Sequence, residues 1–101
     1  MNNQSSLPSI APLFQTVEGH LHNHKLELAL SAVSSILACD RNNFYALAIE
    51  RRIKRVLDFL RDSSEISDAT EYHVARVLAA LEHVCQMAVR FLTNLPTETS
   101  S

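Results

Sequence analysis

The chain has 101 residues, enough for one hydrophobic core and too few for a second. Apolar residues make up 47% of it and charged residues 20%, which excludes disorder throughout. A net charge of −2 gives no global pull towards nucleic acid or an anionic membrane.

No run of about 18 apolar residues is present to span a bilayer, so neither a nucleic acid nor a membrane is an expected partner. One glycine and three prolines are too few for the turns of a small sheet protein, so the expected class is all-α. Residues 1–9 are polar and read as a flexible tail, 10–95 as a single helical domain, and 96–101, after Pro96 opens them, as a second flexible tail. Met1 to Ser6 show no basic segment followed by an apolar run, and Cys39 and Cys85 sit inside apolar patterns. A reducing, cytoplasmic setting without a disulfide is therefore expected.

A first helix is predicted from about Ala11, with Pro12 in the first turn where its missing N–H does no harm. Leu13, Phe14, Val17 and Leu21 recur at helical spacing, and the helix gives way in the polar stretch His22, Asn23, His24. A second helix is predicted from Lys25 to Cys39, with Leu26, Ala29, Leu30, Val33, Ile36 and Leu37 on one face. Its other positions, Leu28, Ser31, Ala32, Ser34, Ser35 and Ala38, are mostly small and none is charged. That pattern predicts the inner helix of the domain, approached by neighbours on more than one side.

Asp40 to Asn43 form a short connection rich in N-cap residues, and a third helix is predicted over 43–61. Ala46, Ile49, Ile53, Val56, Leu57 and Leu60 make its core face. After a polar loop, Asp68 with Glu71 three residues on reads as a capping box for a fourth helix over 69–94. Its stripe runs Val74, Val77, Leu78, Leu81, Val84, Cys85, Ala88, Phe91, Leu92 and Leu95. At 1.5 Å per residue this helix is about 39 Å long against about 22 Å for the second. The excess predicts an uncovered apolar stretch at Val89, Leu92 and Leu95, a candidate self-interface in a homodimer.

Ala29, Val33 and Ile36, then Asp40, Arg41, Asn42 and Asn43, then Ala46 and Leu47, follow the order of small and large residues around the turn of a tetratricopeptide repeat. Arg41 stands where that family has proline. Over about residues 13–60 the chain resembles this family, which implies two stacked antiparallel hairpins; the helical period alone equally admits a four-helix bundle. In tetratricopeptide proteins the first helix of each hairpin lines a groove that holds peptides. Carried over, the resemblance implies partner contacts at Tyr45, Ala48, Arg52 and Arg55, with Phe14 and Glu18 on the matching surface of the first helix. On a helical wheel Phe59 joins Tyr45, Ala48 and Arg52 on a flank about 90° from the core face. Arginine beside an aromatic suits a carboxylate, so an acidic peptide is the expected ligand class.

The expected function is thus a protein–protein interaction module, adaptor or chaperone-like, that binds a partner protein or peptide. A homodimer built through the fourth helix is the structural alternative. His20, His22 and His24 carry a third reading: if the first helix continues, His20 and His24 stand one turn apart and two imidazoles can share a metal ion. The sequence supplies no third ligand at metal-binding spacing, and neither a metal nor another cofactor is expected. Arg51, Arg52, Lys54 and Arg55 form the one basic run, but Glu50 and Asp58 lie four residues either side of Lys54 and make it read as a solvated charged face. There is no Gly-rich phosphate loop or nucleophile elbow. His83 and Cys85 point about 160° apart on a helix and form no dyad, so no enzymatic activity is expected.

Overall fold

The structure is a computed structural model that describes residues 10–62 and 67–93. It contains α1 (Ile10–His22), α2 (Leu26–Cys39), α3 (Phe44–Asp62) and α4 (Asp68–Thr93), with no strand among the described residues. All four predicted helices are present. The two predicted tails, Leu95 among them, lie outside the described residues.

Local chemistry sets the ends. α1 closes with the Lys25 N–H donating to the His20 carbonyl at 2.8 Å and the His24 N–H to the Leu21 carbonyl at 3.0 Å. This pair of bonds places His24 in the left-handed region, at φ 58°, where glycine is the usual occupant. Asn43 caps α3 as expected: its Oδ1 accepts from the Ala46 N–H at 2.9 Å, while its Nδ2 donates to Asp40 Oδ2 at 3.2 Å. The cap of α4 lies one residue ahead of the predicted Asp68–Glu71 pair. Ser67 Oγ accepts from the Thr70 N–H at 3.2 Å, because a serine hydroxyl just outside the helix reaches the third amide directly.

Three-residue and four-residue links make α1–α2 and α2–α3 antiparallel neighbours. The helices then neighbour each other in a ring: α1 meets α2, α2 meets α3, α3 meets α4, and α4 returns along α1. The α1–α4 seam is extensive and the α3–α4 seam is the thinnest of the four. The core runs through the ring, with Phe14, Val17 and Leu21 of α1, Val33 and Ile36 of α2, Ile49 and Ile53 of α3, and Leu78, Leu81 and Cys85 of α4.

The inner helix is α1, and the expectation for α2 is corrected. Leu26, Ala29, Val33 and Ile36 of α2 are buried as predicted, but Leu28, Ser31, Ser34, Ser35 and Ala38 face outwards. Serine needs no charge to be exposed, and Ser35 Oγ donates back to the Ser31 carbonyl at 3.4 Å. α4 is also covered more fully than its length suggests. Val84, Val89 and Leu92 are half-buried and pack against the core, and Leu95 lies outside the described residues.

Candidate functional site: a groove between α3 and α4

Two aromatic contacts fix the thin seam at its ends. Tyr45 of α3 lies 6.0 Å from Phe91 of α4 between ring centroids, and Phe59 lies 6.3 Å from the ring of His73. Their order, early on α3 with late on α4 and the reverse, makes the two helices antiparallel. Between these contacts the seam opens into a groove of about 380 Å³ lined by Arg52, Arg55, Val56, Phe59, His73, Val74, Val77 and Ala80.

Helical periodicity extends both walls beyond the hollow itself. On α3, residues 45, 48, 52, 55 and 59 share a face; on α4, residues 73, 77, 80, 84, 87 and 91 do. The α3 wall gives the two arginines between aromatic ends. The α4 wall is apolar above His73, with half-buried Val77 and Val84 and exposed Ala80, Met87 and Phe91. Phe44, 76% exposed, packs edge-on against Tyr45 at 5.6 Å and continues the aromatic end with Phe91, itself 52% exposed.

The electrostatics of this face differ from those of the whole chain. None of these wall positions carries a carboxylate. Among the described residues neither Arg52 nor Arg55 makes an ion pair, whereas Lys54 is held by Glu50 at 3.6 Å and Arg61 by Asp58 at 3.3 Å. Beside the α4 wall stands Arg76, its guanidinium 5.9 Å from the Tyr72 ring. Among the described residues, acidic side chains line the foot of the seam. There a wider hollow of about 570 Å³ contains Asp68 and Glu71 together with His24, Leu60 and Tyr72.

Comparison with protein-family models, with curated proteins and with solved structures finds no match to this chain.

Of the residues singled out in the sequence, Arg52, Arg55 and Phe59 line the groove, and Tyr45 and Ala48 lie further along the same side of α3. The opposite wall is α4 and not α1. Phe14 is fully buried, 6.5 Å from Tyr45 in an edge-to-face contact. Glu18 turns to α4, where it accepts from Gln86 Nε2 at 2.7 Å. Both follow from α1 packing between α2 and α4.

The α4 wall escaped the sequence reading because Val77, Val84 and Phe91 lie near the edge of the core stripe. Periodicity assigns such residues to the core whether or not a neighbour covers them. Of the candidate self-interface residues, Val89 and Leu92 are half-buried against their own core and Leu95 lies outside the described residues.

The histidines do not keep the arrangement that sharing a metal ion needs. α1 stops at His22 and His24 turns into the left-handed region, so His20 and His24 are not one helical turn apart. His22 instead faces Glu82 of α4 at 3.5 Å. No group of three or more His, Cys, Asp or Glu side chains is placed to hold a metal ion among the described residues.

Cys85 is fully buried at the α1–α4 seam. Burial pushes its thiol up to about 12, and the nearby Glu18 and Glu82 carboxylates add to the shift. Such a thiol is inert at neutral pH. Cys39 is exposed, and neither cysteine is in a disulfide.

Proposed function

We propose that the protein is an interaction module, adaptor or chaperone-like in character, that binds a segment of a partner protein in the α3/α4 groove. The observation that carries this reading is the groove's composition: an apolar floor flanked by two arginines that have no ion-pair partner among the described residues. Among the described residues Lys54 and Arg61 pair with an acid on their own helix. Arg52 and Arg55 instead border apolar surface, which favours a ligand with carboxylates beside apolar groups.

The resemblance of residues 13–60 to tetratricopeptide hairpins supports the same class of function, with the same side of α3 lining the groove and α4, not α1, as its second wall. The absence of any long apolar helix among the described residues and the two free cysteines suit a cytoplasmic module. A binding module of this kind needs no catalytic group or cofactor.

The reading is tested by native mass spectrometry of the protein purified gently from its own host, as wild type and as the double variant Arg52→Glu, Arg55→Glu. Wild type is expected to carry a second polypeptide that the variant loses while its Tm stays within a few degrees. Retention of the same polypeptide by the variant would remove the groove from consideration, and a homodimer in both samples would move the argument to self-association.

A further inference from the structure

We infer that the occupant of the α3/α4 groove is an acidic amphipathic helix of the partner, which docks as a further helix along the open seam. This rests on the reading of the groove as a partner site.

Three observations select a helix. The walls are themselves two antiparallel helices held apart between end contacts, and the outer valley of such a pair is shaped for a third cylinder. From His73 to Phe91 the α4 wall spans eighteen residue steps, about 27 Å, the length of about five helical turns. The exposed apolar residues Ala80, Met87 and Phe91 recur at seven-residue and four-residue steps, the spacing with which helices mesh. An extended peptide would find no open strand edge among the described residues to pair with.

Charge selects the sign. Arg52 and Arg55 stand one turn apart on one wall and Arg76 beside the other, with no carboxylate on either wall. The partner helix is expected to place Glu or Asp side chains one turn apart opposite Arg52 and Arg55. Its Leu, Ile or Met side chains would enter between Phe59, Val77 and Ala80. Three cations with an apolar floor make a poor site for a nucleic acid, which calls for a longer basic track and stacking positions along it.

The test uses the full chain and two synthetic 18-residue peptides of helix-forming sequence. Both carry Leu at positions spaced three and four apart, and they differ only in having Glu or Lys beside that stripe. In amide NMR titrations the Glu peptide is expected to shift resonances of α3 residues 45–59 and α4 residues 73–91. It should gain helicity on binding and bind about tenfold more tightly than the Lys peptide.

In the Arg52→Glu, Arg55→Glu variant the preference should reverse, which a merely unfolded variant cannot do. Equal binding of both peptides, or shifts confined to α2, would overturn the inference. So would binding of a 15-nucleotide single strand or phosphatidylserine vesicles, but not the Glu peptide, with dependence on the same arginines. If neither peptide binds while the double variant still loses its host partner, the helical occupant is wrong and the groove itself stands.

Discussion

Cys85 shows how far one position can be traced from sequence to behaviour. It lies in the core stripe of α4, is fully buried, and holds its proton up to about 12 against an ordinary value of 9.0. Because the folded-state value is raised, this site's stability contribution is fully present below pH 9 and is lost as pH rises from about 9 to 12. Over that window the unfolded chain has released the thiol proton and the folded chain has not. The expected slope is about 1.4 kcal/mol lost per pH unit beyond that of a Cys85→Ala variant, which other titrating groups affect equally. Urea unfolding of both proteins between pH 8 and 11 measures it. Parallel curves would show that the thiol is not sequestered. The same burial predicts that a thiol reagent labels only Cys39 at neutral pH until the chain is unfolded.

At the scale of the helix, α1 carries the fold although it is the shortest of the four. Its buried stripe of Ile10, Phe14, Val17 and Leu21 meets α2 on one side and α4 on the other. Phe14→Ala should therefore cost about 3–5 kcal/mol, enough to unfold much of a domain whose total stability is of order 5–15 kcal/mol. Phe44→Ala, at a ring 76% exposed, should cost under about 1 kcal/mol. Chemical denaturation of the two variants would refute the central place of α1 if their costs were similar.

The helices and the Asn43 cap were legible in the sequence because helical period and capping chemistry are local. Which helix sits inside was not. An uncharged face of serines and alanines serves a buried helix or a wet one alike, and Ser31, Ser34 and Ser35 proved to be wet. Burial of α1 depends on α4 returning along it, a contact between residues about seventy apart that no local pattern encodes.

Across the molecule, the ring of helices is tightly closed at α1–α4 and loosely closed at α3–α4, and the loose seam is where cations with no ion pair among the described residues meet exposed apolar side chains. Most of one wall of that seam was legible, since Tyr45, Ala48, Arg52 and Phe59 cluster on a helical wheel, while Arg55 came only from the tetratricopeptide resemblance. The other was hidden because a stripe residue next to an open seam looks like one next to a closed seam. Val89 and Leu92 illustrate the converse: they read as spare, and α1 lies against their helix.

The proposed partner surface is the α3/α4 groove and not the small-residue face of α2. Site-specific photo-crosslinking in the protein's own host tests it most directly, with benzoylphenylalanine placed at Ala80 in the groove or at Ser34 on α2. A discrete heavier adduct is expected from Ala80, lost on Arg52→Glu with Arg55→Glu, and none from Ser34. An adduct from Ser34 alone, or an Ala80 adduct at twice the mass of the chain itself, would contradict it.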